Sequence, residues 1–274
     1  MEASLTGAAA YAGLVAERVT IDRGGHLLLI GLNRPQKRNA ADFAMLQELC
    51  LAYGELDRDP DLRVGVVYAH GDHFTGGLDL GDVAPRIGAN GLDLVPEGGL
   101  NPWQVEGEFQ RKPVVIAVQG MCLTLGIELA LASDVVVAAD STVFGQIEVQ
   151  RGILPFGGAT IRFPRAVGWG NAMRWMLTGD SFDAAEAHRM GLVQEVVPHG
   201  TQLERARAIA TRIATQAPLA VQATLANARE AIRDSDARAE QQLQPELVRL
   251  ASSEDAAEGM RAFVARDEPD FRGR

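Results

Sequence analysis

Short apolar runs alternate with amphipathic segments in the first half of the chain, and this pattern predicts alternating strands and helices. Three runs are apolar at nearly every position, as expected for strands buried on both faces of a sheet: Val64–Ala69, Val114–Val118 and Val135–Ala138. A further strand is predicted at Leu27–Leu32. Between these strands, apolar residues recur at helical spacing from Asp42 to Asp57, which predicts an amphipathic helix. The pattern therefore indicates an α/β protein whose sheets are covered by helices.

The second half of the chain is predicted to be mostly helical. Its candidate helices are 157–167, 183–190, 201–216 and 218–233, and Pro218 suits a first-turn position. The tail has two more groups of apolar residues at helical spacing, which are Leu243, Leu247 and Leu250, and then Met260, Phe263 and Val264. They predict two helices whose apolar faces need either the main core or another subunit as a partner.

The segment 82–102 interrupts this regular pattern. It is rich in glycine and proline and has little periodicity, so it is predicted to be a long loop. Long loops in compact domains are usually functional or mobile. A substrate gate and a plain surface insertion are both open interpretations.

Composition restricts the class of protein. The 274 residues are 47% hydrophobic and 23% charged, as in ordinary globular proteins. No apolar stretch approaches the roughly 20 residues that cross a bilayer. The net charge of −10 argues against nucleic acid or an anionic membrane as the main partner. The only cysteines, Cys50 and Cys122, supply neither a disulfide framework nor a metal-ligand set, so we expect a cytoplasmic protein.

Two glutamates occupy positions where a carboxylate is hard to explain by structure alone. Glu128 lies inside the apolar run 121–132, and Glu148 precedes the turn-rich stretch 152–158. An unpaired carboxylate is costly to bury. Two such residues therefore suggest a pair that converges on one pocket, where different environments divide acid and base roles between them. For each glutamate, a buried ion pair with an arginine is the alternative interpretation.

Glycines follow two of the predicted strands. Gly76 and Gly77 come after the strand 64–69, and Gly120 and Gly126 come after the strand 114–118. The backbone must turn tightly there or approach a ligand closely. Two such turns side by side could direct two backbone N–H groups at one oxygen. The second turn would also open a helix, whose N-terminal amides favour developing negative charge.

A basic cluster precedes the first helix. Arg34, Lys37 and Arg38 lie in one short segment of an otherwise acidic chain. Such residues suit a solvated turn, and they also suit a local site for phosphate groups. Both interpretations are open from the residues alone.

The order of the segments resembles the enoyl-CoA hydratase/isomerase (crotonase) superfamily from about residue 14 to the C-terminus. The motifs that carry the resemblance are Leu32-Asn-Arg-Pro, Arg38-Asn-Ala, Gly76-Gly-Leu-Asp, Lys112-Pro-Val-Val-Ile-Ala-Val-Gln-Gly, Gly126-Ile-Glu-Leu-Ala, Ser133-Asp, Phe144-Gly-Gln-Ile-Glu, Gly152-Ile-Leu-Pro-Phe-Gly-Gly, Leu177-Thr-Gly-Asp, Ala187-His-Arg-Met-Gly-Leu-Val and Gly259-Met-Arg-Ala-Phe. The resemblance implies a crotonase-like ββα spiral core with the acyl-CoA site over residues 14–200. It also implies a C-terminal helical trimerisation region over residues 201–274, and assembly as a homotrimer or hexamer.

The resemblance also implies roles for individual residues. The backbone N–H groups of Leu78 and Leu125 would form an oxyanion hole for the thioester of an acyl-CoA substrate. Glu128 and Glu148 align with the two catalytic glutamates of the hydratases.

The resemblance further implies how coenzyme A is bound. The adenine and 3′-phosphate end of the coenzyme would meet Lys37 and Arg38, together with Phe263 and Arg266 from the tail of a neighbouring subunit. The family uses no metal and no redox cofactor, and coenzyme A is part of the substrate.

The glutamate pair favours hydration of a 2-enoyl-CoA over isomerisation, because shifting a double bond can be achieved with one carboxylate at the position of Glu148. Three features depart from the family pattern. Leu78 replaces a more frequent alanine, Thr124-Leu125 interrupts a glycine run, and Ile147 replaces a proline. Isomerase, decarboxylase or thioester hydrolase chemistry, or non-catalytic acyl-CoA binding, are therefore alternatives to the expected hydratase.

Overall fold

The structure, a computed structural model, describes residues 17–88 and 91–274. The strands are β1 (Val19–Gly24), β2 (Leu27–Leu32), β3 (Val64–Ala69), β4 (Val114–Val118), β5 (Met121–Leu123), β6 (Val135–Ala139), β7 (Val143–Gly145), β8 (Ser181–Asp183) and β9 (Glu195–Val197). The helices are α1 (Phe43–Arg58), α2 (Leu80–Val83), α3 (Leu125–Ala132), α4 (Ala159–Val167), α5 (Trp169–Thr178), α6 (Ala184–Arg189), α7 (Gln202–Ala214), α8 (Pro218–Arg233), α9 (Asp236–Ala251) and α10 (Glu254–Ala265). Residues 14–16, the start of the predicted core, lie outside the described residues.

A six-stranded sheet forms the centre of the fold, with its strands in the order β1-β2-β3-β4-β6-β9. β1 pairs antiparallel with β2, and the other neighbours pair in parallel. Side chains alternate between the two faces of a strand. Leu29, Val66 and Val115 pack on one face with α7, while Ile30 and Ile116 belong to the larger core on the other face. Apolar groups on both faces explain the nearly continuous apolar runs in the sequence.

A second, three-stranded sheet has the order β5-β7-β8. β5 runs parallel to β7, and β7 runs antiparallel to β8. Phe144 of β7 stacks on Phe182 of β8 with ring centroids 5.5 Å apart, and Trp175 of α5 lies 4.8 Å from the Phe182 ring. These three-residue strands were not predicted, because so short a segment shows no periodicity. The sheet fixes the chain on either side of α3 and of Glu148.

The longer elements agree with the sequence pattern. β2, β3, β4 and α8 have the predicted bounds, and β6 is one residue longer. α1 begins after Asp42, whose carboxylate accepts the N–H of Met45 at 3.0 Å and so caps the helix. The first residues of the predicted loop 82–102 lie in α2 and in a 3-10 turn at Ala84–Arg86. The other described residues of this segment form no helix or regular strand.

The C-terminal part contains helices with exposed apolar faces. α8 packs against α9, and α9 contacts α10. The exposed large apolar side chains of α9 and α10 are Leu243, Leu247, Val248, Met260, Phe263 and Val264. The main core of the same chain therefore does not cover these faces, and the trimerisation region stays a prediction. No helix of the described residues is long and apolar enough to span a bilayer.

Candidate active site

A cavity of about 320 Å³ lies between the turn after β3, the N-terminal half of α3 and the 3-10 turn Glu148–Arg151. Its wall includes Leu78, Leu125, Glu128 and Glu148. The tertiary structure thus brings together the residues that the sequence predicts for the reaction. Their roles stay predictions, whereas their convergence on one cavity is an observation.

Glu128 is held by the start of α4. The residue is 3% exposed, and its Oε1 accepts the N–H of Ala159 at 3.2 Å. Gly157 approaches the carboxylate so closely that a Cβ there would lie 2.6 Å from Oε2. Burial raises the pKa of Glu128 to about 7, and the nearby Glu148 adds to the rise; the N–H groups of Ala159 and Gly157 and the charge of Arg162 oppose it. Burial outweighs the opposing effects, so this carboxyl group can be either protonated or ionised near neutral pH.

Glu148 has a different environment. It opens the 3-10 turn after Ile147 and is 5% exposed. Its Oε1 accepts a hydrogen bond from Nε2 of Gln146 at 2.8 Å, so the observed partner is an amide rather than an arginine. Its Oε2 is buried and forms no hydrogen bond with the described residues. Burial raises the pKa of Glu148 to about 7, although hydrogen bonds to its own backbone N–H and to Gln146 favour the ionised form.

The glycine turn after β3 lies beside β5 and the turn that follows β5. Thr75 donates its N–H to the carbonyl of Met121 at 2.9 Å, and Leu123 donates to the carbonyl of Thr75 at 3.1 Å. Gly126 allows this approach, because a Cβ there would lie 2.6 Å from Cγ2 of Thr75. The two turns therefore meet at the same wall of the cavity, as the sequence predicted.

The orientation of the backbone frees the N–H groups of Leu78 and Leu125. The N–H of Ala41 binds the carbonyl of Gly77, and the carbonyl of Ala41 accepts from Asp79. The N–H of the intervening Leu78 consequently points away from Ala41, as the alternation of a parallel ladder requires. Leu125 is the first residue of α3, where a backbone N–H has no partner inside the helix. Both residues line the cavity.

The basic cluster divides into two parts. Arg34 forms ion pairs with Asp79 at 2.7 Å and with Asp42 at 3.3 Å, so it stabilises the fold rather than an anion site. Lys37 and Arg38 are exposed, and the carbonyl of Arg38 accepts the N–H of Gly76 at 2.8 Å. This hydrogen bond places the pair next to the cavity wall.

The tail residues lie elsewhere. Phe263 is 81% exposed on α10, and Arg266 is the exposed C-cap of the same helix. Neither belongs to the wall of the cavity in its own chain. The predicted contact of these two residues with coenzyme A stays a prediction.

Comparison with known proteins decides the family. A family model described as enoyl-CoA hydratase/isomerase matches residues 22–274. The chain belongs to this family. The match confirms the resemblance that was inferred from the ordered motifs.

Curated relatives and solved structures extend over the same length. The chain is 33% identical over 262 residues to enoyl-CoA hydratase EchA19 of Mycobacterium tuberculosis, and the match covers 93% of this chain and 96% of that protein. It is 37% identical over 259 residues to the 2,3-dehydroadipyl-CoA hydratase of Escherichia coli, and this match covers 93% of this chain and 98% of that protein. A crystal structure of a probable enoyl-CoA hydratase/isomerase from Mycobacterium abscessus has a TM-score of 0.92 at 59% identity, covering 94% of this chain and 99% of that chain. The predicted crotonase-like α/β fold is thus confirmed.

Sequence reasoning missed part of the cavity wall of this family member. Trp103 is buried, and its Nε1 donates to the carbonyl of Leu125 at 3.0 Å. Leu92, Leu94 and Asn101 of the long loop also line the cavity. The two leucines within a glycine-rich loop are the signal that could have revealed this role, because solvated loops are usually polar.

Most of the remaining wall is apolar. The apolar side chains, apart from those already named, are Leu46, Leu80, Val105, Ile147, Ile153 and Phe156. Glu106 and Arg151 are the further charged residues of the wall. The cavity therefore combines two carboxyl groups and the two residues of the predicted oxyanion hole with a surface that suits an apolar acyl group. Among the described residues, no three His, Cys, Asp or Glu side chains form a group that could hold a metal ion.

Proposed function

We propose that this protein is an enoyl-CoA hydratase, which adds water across the C2=C3 bond of a 2-enoyl-CoA thioester. The observation that carries the proposal is the pair of buried glutamates, Glu128 and Glu148, in one cavity beside the N–H groups of Leu78 and Leu125. The hydratase names of the curated relatives support it.

The proposed chemistry follows from where charge develops. Attack of water at C3 places negative charge on the thioester oxygen, and the N–H groups of Leu78 and Leu125 would stabilise this enolate. Donors of this kind are each worth roughly 10²–10³ in rate. The addition transfers no electrons between substrate and protein and so requires no redox cofactor. Because two N–H groups and two carboxyl groups would supply the charge stabilisation and the proton transfers, we propose that no resident metal takes part either. Coenzyme A is a part of the substrate.

The two carboxyl groups would divide the proton transfers. The pKa of each group is raised to about 7 by burial, so one can be ionised while the other is protonated near neutral pH. The ionised group accepts a proton from water as its oxygen bonds to C3, and the protonated group delivers a proton to C2. General acid–base catalysis of this kind contributes about 10²–10⁴ in rate.

A panel of enoyl-CoA substrates tests the proposal. We expect crotonyl-CoA or a longer 2-enoyl-CoA to gain the mass of one water in a mass-spectrometric assay. Glu148→Gln and Glu128→Gln should each lower kcat at least about a hundredfold while binding of a saturated acyl-CoA is retained in calorimetry. The matched control is Glu97→Gln, an exposed residue outside the cavity wall. No hydration at any chain length would contradict the proposal.

Isomerisation is the second candidate. Leu125 and Ile147, which stand where the family more often has glycine and proline, both line the cavity and could alter where water is held. A product of unchanged mass with a shifted double bond would favour the isomerase. Other products from the same panel would identify decarboxylase or thioester hydrolase activity, and binding without any product would identify a non-catalytic acyl-CoA binder.

The assembly and location complete the proposal. We propose a homotrimer or hexamer, because α9 and α10 expose apolar side chains that a second copy of the chain could bury. In such an assembly Phe263 and Arg266 of one copy would complete, with Lys37 and Arg38 of another, the coenzyme A site. We propose the cytoplasm as the location, with neither nucleic acid nor membrane as a partner, since the net charge is −10.

A further inference from the structure

Thr124 has a backbone conformation that β-branched residues rarely adopt. Its φ is 49° and its ψ is −112°, which is close to the first central position of a type II′ turn. Glycine dominates that position, and a positive φ at a β-branched residue is a genuine outlier. Such strain persists only where the surrounding structure enforces it, and it is concentrated at functional positions.

Hydrogen bonds on both sides enforce this conformation. The N–H of Thr124 donates to the carbonyl of Gly145 in β7 at 2.9 Å. The carbonyl of Thr124 accepts the N–H of Glu128 at 3.1 Å, the bond that closes the first turn of α3. The backbone is therefore held between the small sheet and the helix, and these contacts fix the direction of the side chain.

That side chain contacts the other donor turn. A Cβ built on Gly77 would lie 2.5 Å from Oγ1 of Thr124 and 3.6 Å from its Cβ and Cγ2. The threonine thus occupies the space that a side chain at residue 77 would need. Gly77 immediately precedes Leu78, and Thr124 immediately precedes Leu125. One side chain therefore separates the two turns that carry the N–H groups.

The contact depends on shape rather than on a hydrogen bond. Oγ1 of Thr124 is buried and forms no hydrogen bond with the described residues. A valine would fill nearly the same volume, whereas glycine would remove the contact and also relax the backbone. The residue itself belongs to the cavity wall.

We propose that Thr124 is a positioning residue, whose side chain acts as a spacer that sets the separation of the Leu78 and Leu125 N–H groups. The inference rests on the proposed function in one respect, which is that the thioester oxygen binds between these groups. The strained backbone is explained by this role. Glycine, which is more frequent in the family before the first glutamate, would suit the turn better, but it would leave the space between Gly77 and residue 124 unfilled.

A spectroscopic probe tests the spacer directly. Acetoacetyl-CoA ionises to an enolate that absorbs in the ultraviolet, and an oxyanion hole increases the bound enolate fraction. We expect Thr124→Gly and Thr124→Ala to lower that fraction. We also expect them to lower kcat roughly 10- to 100-fold with a much smaller change in KM, since a misplacement of about 1 Å can cost this much. Thr124→Val should keep both quantities within about threefold.

Thermal unfolding separates positioning from a purely structural role. Thr124→Gly relaxes the strained turn, so its Tm should equal or exceed that of the wild type although kcat falls. A wild-type enolate fraction and kcat in Thr124→Gly would overturn the inference. A loss of enolate enrichment and of kcat in Thr124→Val, with both retained in Thr124→Ser, would also overturn the inference. Hydrogen bonding by the hydroxyl, rather than the shape of the side chain, would then be responsible for the activity. If Thr124→Gly fails to fold, Thr124→Ala carries the same comparison.

The probe also distinguishes this inference from the hydratase proposal. Acetoacetyl-CoA reports on the oxyanion hole whatever reaction the protein catalyses. A wild-type protein that hydrates no enoyl-CoA but enriches the bound enolate would contradict the hydratase proposal. The spacer would still be supported in that case if Thr124→Gly lowers the bound enolate fraction. A wild-type protein that binds acetoacetyl-CoA without enriching its enolate would overturn the spacer.

Discussion

Replacing Glu128 by glutamine is expected to stabilise the fold at alkaline pH while it removes hydration activity. Burial raises the pKa of Glu128 from 4.5 to about 7 in the folded protein. The folded state therefore binds more protons than the unfolded state between these two values. Stability consequently falls as the pH rises through this window, and the whole penalty is present above pH 7. Glutamine has no charge to desolvate and escapes the penalty.

The size of the effect follows from the shift. One pKa unit corresponds to about 1.4 kcal/mol, so the penalty is roughly 3 kcal/mol near pH 8 and about 1 kcal/mol near pH 5. The amide oxygen of glutamine can still accept the N–H of Ala159, although more weakly than a carboxylate. We therefore expect a net gain of roughly 1–3 kcal/mol at pH 8, which corresponds to an increase in Tm of about 2–8 °C for a chain of this size.

Thermal unfolding of the wild type and Glu128→Gln at pH 5 and pH 8 measures this gain. Both proteins must be compared at one concentration, because subunit association also raises Tm. The control Glu97→Gln changes an exposed carboxylate and should show no such difference between the two pH values. If Glu128→Gln raises Tm equally at both pH values, or less at pH 8, burial of the charged carboxylate is not the dominant cost to the stability of the wild type.

Three other predictions concern the reaction, the coenzyme and the assembly. Burial raises the pKa of both glutamates in the cavity to about 7, so kcat for hydration should peak near neutrality. It should fall in acid as the base is protonated and in alkali as the acid ionises, and a flat profile of kcat against pH would contradict this. Lys37→Ala and Arg38→Ala should raise KM severalfold for coenzyme A thioesters at low salt, but not for dephospho-coenzyme A thioesters; equal losses for both would argue against a 3′-phosphate contact. Leu247→Lys should lower the mass of the assembly in sedimentation experiments, because the exposed face of α9 would then carry a charge; an unchanged mass would place the interface elsewhere.

Much of the secondary structure and the family followed from local patterns. β2, β3 and β4 could be predicted with their bounds because each has continuous apolar positions and is buried in the central sheet. Glu128 and Glu148 could be singled out because a carboxylate in an apolar setting is costly wherever the chain folds. Both signals depend on residues that are near one another in the sequence.

The long loop shows what such patterns leave open. Its residues gave equal support to a gate and to a surface insertion, whereas the fold places Leu92, Leu94 and Asn101 in the cavity wall. Which side of the loop faces the cavity depends on α3 and on the 3-10 turn at Glu148–Arg151, which come later in the chain. No local pattern contains that information.

The ordered motifs and the apolar pattern of the sequence determined the family, the acidic pair and the longer elements, whereas tertiary contacts decided which partner each side chain has. Arg34 resembled its neighbours Lys37 and Arg38 in the sequence, but the fold pairs it with Asp79, which is 45 residues away. Thr124 was visible only as a departure from a glycine run, and its contact with Gly77 emerged from the approach of two separate turns. The physical reason is the same in both cases. Burial and periodicity are properties of a segment, while ion pairs, strain and donor spacing are properties of segments that meet in space.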